Sequence, residues 1–116
     1  LLAAERHPGV SVVIAHSHCV LHKSEASGPQ LARLATDSGY WPLFIRDPQK
    51  EIPFVWHSSP EVVEDKLRDF IKLQADYQPI RENSVLYQKF QKNIKKNLHH
   101  LQILARLDNE GWGWKD

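Results

Sequence analysis

The sequence has little cysteine, no methionine and no long apolar run. One cysteine in 116 residues excludes both an internal disulfide framework and a self-contained zinc or cluster site made of four cysteines. A secreted protein held by disulfides is therefore excluded, and we expect a reducing, cytoplasmic location. No apolar segment approaches the ~18 residues of a membrane span, and no signal peptide is recognisable, so we expect no membrane partner.

A strong excess of charge is also missing. The 15 Lys and Arg against 14 Asp and Glu leave a formal net charge of +1, which argues against a nucleic-acid binder driven by bulk charge. Hydrophobic residues make up 41% and charged residues 25% of the chain, as in globular domains. The length fits one domain or part of one. Because Leu1–Arg6 resembles the end of a helix and lacks an initiator Met, we expect a piece of a longer chain.

A β-branched run near the amino terminus predicts a buried strand. Val10–Ala15 shows almost no polar alternation, which suits a strand covered on both faces in a parallel α/β sheet. A helix that ends at His7-Pro8-Gly9 and feeds such a strand is half of an αβ unit. The expected fold class is therefore α/β, as a fragment of a parallel-sheet domain with a hairpin and carboxy-terminal helices.

The rest of the chain predicts a hairpin and three helices. Helix caps, proline positions and apolar spacing place these elements. The first predicted helix begins at Ser27, has Pro29 in its first turn and ends before Gly39, and strands at Tyr40–Ile45 and Ile52–Trp56 then flank a turn at 47–50. A second helix begins at Ser59-Pro60, and its inner residues are Val63, Leu67, Phe70 and Ile71. A long helix follows Pro79, and its inner residues are Leu86, Phe90, Ile94, Leu98, Leu101 and Leu104.

The loop after the predicted first strand carries the candidate chemistry. Cys19 lies among His16, His18 and His22, and ligands sit at the carboxyl ends of strands in open parallel sheets. Three interpretations stay open on spacing alone. They are a buried inert thiol with hydrogen-bonded histidines, a zinc site of all four residues, and one thiolate for a metal cluster whose other ligands lie elsewhere. Zinc is disfavoured because adjacent residues rarely both reach one tetrahedral ion.

Two motifs resemble pyruvate:ferredoxin (flavodoxin) oxidoreductases. Residues 13–22 read VIAHSHCVLH, and residues 37–44 read DSGYWPLF, followed by RDP at 46–48. The family shows similar stretches in the last part of its thiamine-diphosphate domain. The resemblance is good over 1–56, whereas 60–107 match only in length and character. It implies that 1–56 are the distal part of that α/β domain with a cluster-ligand loop, and that 57–116 are a helical segment.

The resemblance implies a metal role for Cys19. In the family this cysteine is a ligand of the [4Fe-4S] cluster nearest the thiamine, and its partner cysteines lie upstream. A thiolate suits iron because it is a soft anionic ligand. The neighbouring residues His16, Ser17, His18 and His22 would then lie beside the cofactor, where they could orient the loop and tune the potential. Lys23 replaces a glycine usual in the family, and no diphosphate-binding Gly-Asp-Gly stretch is present, so we expect no catalytic residue here and an inactive isolated chain.

The implied activity is oxidative decarboxylation of pyruvate. It would use thiamine diphosphate with Mg²⁺, pass electrons through [4Fe-4S] clusters to ferredoxin or flavodoxin, and transfer the acyl group to coenzyme A. The expected partners are the remainder of the parent chain and, because a cut αβ unit exposes a sheet edge, further copies in a homo-oligomer. Alternatives are a homologous domain in a sulfite reductase or NADP-dependent relative, and a non-catalytic interaction module.

The final helix has a separate charge feature. Its basic residues are Lys89, Lys92, Lys95, Lys96 and Arg106, and no acidic residue lies between Val85 and Leu107. The pattern is typical of a solvated helix face, and it also suits docking of an acidic partner. RNA binding is less consistent with the sequence because few aromatic residues are interleaved for base stacking. The aromatic residues of Gly39–Leu43 are expected to fill a core.

Overall fold

A computed structural model of the chain describes residues 2–17, 27–74 and 77–112. In chain order the elements are α1 (Leu2–Arg6), α2 (Gly28–Asp37), β1 (Phe44–Arg46), β2 (Phe54–Trp56), α3 (Glu64–Lys72), α4 (Gln78–Glu82) and α5 (Ser84–Glu110). The described part therefore combines helices and strands, which agrees with the predicted α/β class. Its sheet is one antiparallel hairpin. A parallel sheet is not formed within these ranges.

The prediction of a strand over 10–15 is wrong, because the structure forms neither strand nor helix there. Val10 is 91% exposed, Val12 80% and Ile14 76%. A strand buried on both faces needs neighbouring strands for its backbone groups and helices for its two faces. No described segment supplies either, so this apolar run lies in solvent.

Helix α2 begins and ends as predicted. The Ser27 hydroxyl accepts a hydrogen bond from the Gln30 backbone N–H at 3.3 Å, and Gln30 Oε1 accepts one from the Ser27 N–H at 3.0 Å. This reciprocal pair satisfies two free donors of the first turn. Gly39 follows the helix at φ +90°, and a Cβ there would lie 2.5 Å from the Glu61 carbonyl oxygen. Glycine therefore lets the segment before α3 cross the end of α2.

The hairpin forms where predicted but with shorter strands. β1 pairs antiparallel with β2, and Ile45 lies opposite Val55. The predicted strands extended back over Pro42 and Pro53, and proline has no N–H to donate to a ladder, which shortens both. In the turn, the Asp47 carboxylate accepts a hydrogen bond from the Gln49 N–H at 3.0 Å, a turn typical of aspartate.

Helix α3 begins four residues later than predicted. Ser59 does not cap it, and the helix starts at Glu64 without a side-chain cap. The preceding segment is held elsewhere, because Ser58 Oγ accepts the Leu43 N–H at 2.8 Å and the Val63 N–H donates to the Ser38 carbonyl at 3.1 Å. The predicted inner stripe is buried at Leu67, Phe70 and Ile71, whereas Val63 is 41% exposed.

Helix α5 carries the longest face of the core. The Asn83 side chain caps it by accepting hydrogen bonds from the Val85 and Leu86 N–H groups, and Gly111 ends it in a left-handed conformation. Leu86, predicted in the apolar stripe, is 41% exposed, and Tyr87 is buried instead. Of the described helices, none has the length and low polarity required to cross a bilayer. The core cluster comprises Ala35, Leu67, Phe70, Ile71, Tyr87, Ile94 and Leu98.

Candidate functional site

The predicted cofactor loop lies mostly outside the described residues. Cys19 and His22 fall in 18–26, as do His18 and Lys23, so their predicted roles stay predictions. Ser17 is described and exposed. The part of the first motif that can be placed is therefore the approach to the cysteine.

That approach ends against the second motif. The His16 ring centroid lies 5.1 Å from the Trp41 ring, tilted by 30°, and 5.6 Å from the Tyr40 ring in an edge-to-face arrangement. At the other end of the same segment, His7 Nδ1 lies 3.7 Å from an Asp47 carboxylate oxygen. The segment is thus attached at both ends beside β1. The structure brings together His16 of the first motif and Tyr40 of the second, which lie more than 20 residues apart in the sequence.

Tyr40 connects this contact to the helical core. Its ring centroid lies 4.9 Å from that of Phe70 and 6.0 Å from that of Phe90, and its hydroxyl lies 3.3 Å from the Tyr77 hydroxyl. The predicted core role of the Gly-Tyr-Trp motif is confirmed, since Tyr40 and Trp41 pack against the buried cluster. Its aromatic rings also form a platform that holds His16, three residues before Cys19.

A bidentate ion pair attaches β1 to the end of α5. Arg46 Nε and Nη2 donate to the Asp108 carboxylate at 2.6 and 3.0 Å, and the Trp112 indole N–H donates to it at 2.8 Å. The Asp108 side chain is 4% exposed, whereas Arg46 is 43% exposed. The hydrogen bonds from Arg46, more than those from Trp112, lower the pKa of Asp108 below its ordinary value. The carboxylate therefore stays charged although it is buried.

A second contact fixes β2 to the same helix end. The Asn109 amide accepts a hydrogen bond from the Phe54 N–H at 3.0 Å and donates one to the Phe54 carbonyl at 3.1 Å. The Asn109 side chain thereby pairs with the backbone N–H and carbonyl of Phe54, as a neighbouring strand would do along the outer edge of β2. Sequence reasoning missed both contacts because Asp108 and Asn109 lie more than 50 residues from their partners, at a spacing that no local pattern marks.

A shallow groove of about 320 Å³ lies between α2 and the segment before α3. Its polar side chains carry both signs of charge, so it does not select a cation or an anion. Its lining comprises Thr36, Asp37, His57, Ser58, Ser59, Val63 and Lys66. Across the described ranges, no group of three or more His, Cys, Asp or Glu side chains could hold a metal ion.

The described residues do not fit a [4Fe-4S] cluster. Such a cluster needs thiolates, and the chain's one cysteine lies outside the described ranges. Of the four residues in the zinc interpretation, only His16 is described, and its ring packs on the aromatic platform. The cluster and zinc interpretations therefore both depend on residues 18–22 and stay predictions.

The chain is similar in sequence to several curated pyruvate oxidoreductases. It is 33% identical over 88 residues to a pyruvate-flavodoxin oxidoreductase of Klebsiella pneumoniae, which covers 70% of this chain and 7% of that protein. It is 28% identical over 116 residues to the pyruvate:ferredoxin oxidoreductase of Moorella thermoacetica, covering 90% of this chain and 10% of that protein. It is also 41% identical over 51 residues to a pyruvate dehydrogenase [NADP(+)] of Cryptosporidium parvum, covering 42% and 3% respectively.

These similarities support an evolutionary relationship between the chain and the pyruvate oxidoreductases, a group of enzymes. The chain spans a tenth or less of the length of these curated relatives. No protein-family model matches the chain, and no solved structure matches it.

Proposed function

We propose that the chain is a segment of a pyruvate:ferredoxin or pyruvate:flavodoxin oxidoreductase. The observation that carries this proposal is the sequence similarity to oxidoreductases whose names specify pyruvate with flavodoxin or ferredoxin. The contact of His16 with Tyr40 and Trp41 supports it, because it joins the two motifs on which the resemblance depends. In this proposal the reaction is oxidative decarboxylation of pyruvate to acyl-CoA.

In this proposal Cys19 is a ligand of a [4Fe-4S] cluster. Because the chain has one cysteine, the other three thiolates come from elsewhere in a longer polypeptide, together with the binding site for thiamine diphosphate and Mg²⁺. Thiamine diphosphate would stabilise the carbanion, and the cluster would accept single electrons. The aromatic platform under His16 would hold the loop, with Ser17 and His22 next to the cofactor.

The exposed run at 10–15 fits the same proposal. Val10, Val12 and Ile14 are more than three quarters exposed, and burying such side chains contributes roughly 1.5–3 kcal/mol each. In the proposed longer protein this run is a strand of a sheet that other segments complete. We therefore expect Val12→Lys to leave the thermal stability of the 116-residue chain unchanged and to lower that of the longer protein, as measured by thermal denaturation of both. Equal stability of the longer protein would contradict the strand role.

The experiment that tests the proposed function starts from the native polypeptide. An antibody against this chain is used to isolate it anaerobically, and pyruvate-dependent reduction of methyl viologen is measured with and without coenzyme A. We expect a polypeptide much larger than 13.4 kDa with activity that depends on coenzyme A. We expect no activity from the isolated 116 residues. A native polypeptide without iron or activity would contradict the proposal and favour an interaction module.

A second candidate is an NADP-dependent relative. The similarity to the Cryptosporidium enzyme, whose name specifies NADP(+), favours it. The same isolated polypeptide distinguishes the two candidates, because reduction of NADP⁺ by pyruvate in the absence of ferredoxin and flavodoxin indicates the second one.

A further inference from the structure

Helix α5 presents a continuous basic surface to solvent. Lys89, Lys92 and Lys96 follow one another at steps of three and four residues, which places them on one side of the helix. The opposite side carries the buried residues Ile94 and Leu98. We define the basic face as the exposed side chains Lys89, Lys92, Lys95, Lys96, His99, His100 and Arg106.

The charge of the basic face is not balanced by ion pairs within the described residues. Among the described residues, its five cations form no ion pair, whereas Arg46 pairs with Asp108 and Arg68 with Glu64. The segment 85–107 holds five of the 15 basic residues and none of the 14 acidic ones. The rest of the chain therefore has ten basic and fourteen acidic residues, so a near-neutral protein is strongly polarised in charge.

We propose that the basic face docks an acidic protein surface. From Lys89 to Arg106 it extends about 25 Å at 1.5 Å per residue, a length that suits one compact partner. Val85, which is 57% exposed, and Ile103, which is half-buried, lie five turns apart in line with the lysines. Apolar positions among cations suit a protein partner, since interfaces combine apolar contacts with a charged rim.

A nucleic acid fits this face less well than a protein does. The face carries no Trp, Tyr or Phe on which bases could stack. A nucleic acid that extends beyond α5 would also meet the acidic excess of the rest of the chain. Since rim charges act mainly by steering association, the interaction is expected to depend strongly on salt.

The test measures binding of a fluorescein-labelled oligo-glutamate peptide to the 116-residue chain by fluorescence anisotropy at low and physiological salt. The triple variant Lys89→Glu, Lys92→Glu, Lys96→Glu is expected to weaken binding about tenfold or more at low salt. The matched control reverses three exposed charges elsewhere, at Arg33, Lys50 and Lys72, and is expected to change binding less than about twofold. Circular dichroism spectra establish that both variants are folded.

Three results would overturn this proposal, which does not depend on the proposed function. Equal loss of binding in both variants means that net charge alone attracts the peptide. Tighter binding of a single-stranded oligo-dT of the same formal charge means that the face is a nucleic-acid site. Salt-sensitive self-association that the α5 variant abolishes, measured by sedimentation velocity, means that the occupant is a second copy of the chain.

Discussion

Replacing Arg46 by alanine tests how the hairpin is held against α5. The change removes the two donors that lie 2.6 and 3.0 Å from the Asp108 carboxylate and leaves only the Trp112 indole N–H. Removing one partner of a fully buried ion pair costs about 3–5 kcal/mol. Because Arg46 is 43% exposed, water can replace part of its hydrogen bonding to Asp108. We therefore expect the free energy of unfolding to fall by about 2–3 kcal/mol.

Urea denaturation followed by tryptophan fluorescence measures this loss as a lower midpoint at an unchanged slope. The matched control is Glu64→Gln, which breaks the exposed pair with Arg68 and should leave the midpoint unchanged. The conservative Arg46→Lys keeps the charge but loses the bidentate geometry, so it should fall between the two. An Arg46→Ala midpoint equal to that of Glu64→Gln would refute the reasoning.

The dependence on pH supplies an independent check. The hydrogen bonds from Arg46 lower the folded-state pKa of Asp108 below that of an ordinary aspartate. A carboxylate with a depressed pKa stabilises the fold above its unfolded-state pKa, and this contribution disappears as pH falls through the folded-state value. The wild type should therefore lose stability below about pH 4, and Arg46→Ala should lose less over the same range. An identical loss of stability below about pH 4 in both proteins would contradict the role given to the Arg46–Asp108 pair.

Gly39→Ala should destabilise the chain by about 2 kcal/mol because its Cβ would meet a carbonyl oxygen at 2.5 Å. Gly9→Ala, also at positive φ but with only ordinary contacts to the His7 ring, should cost less in the same urea assay. Ser27→Ala should cost about 1 kcal/mol by removing the cap of α2, and Ser59→Ala, at the predicted cap that does not form, should cost nothing; equal effects would contradict the observed helix starts. Asn109→Ala should remove about 1–2 kcal/mol and accelerate amide hydrogen exchange in β2, and unchanged exchange would argue against its bridging role.

The sequence predicted the features that local chemistry determines. The cap and end of α2 depend on Ser27 and Gly39, and the hairpin depends on apolar strands around an Asp-Pro turn. Each of these formed because its partners lie within a few residues. The start of α3 was wrong for the opposite reason. Ser59-Pro60 has the composition of a helix start, but hydrogen bonds of the Ser58 side chain and the Val63 backbone with distant residues hold the chain in another path.

The candidate site was predictable only in part. Local composition marked the Cys19 loop and the Gly-Tyr-Trp motif, but it did not indicate that His16 would pack on Trp41. The β-branched residues before the Cys19 loop predicted a strand at 10–15, and that strand requires neighbours that the described residues do not provide. The β-branched pattern therefore indicated which neighbours the segment needs, and the described residues do not supply them.

We propose that Cys19 binds an iron–sulfur cluster in a larger pyruvate oxidoreductase. The direct measurement is electron paramagnetic resonance of the dithionite-reduced native polypeptide, together with its iron content, for wild type, Cys19→Ser and the neutral control Ser59→Ala. We expect Cys19→Ser alone to lose one cluster signal and about four iron atoms per polypeptide. Identical spectra and iron content in all three proteins would contradict it.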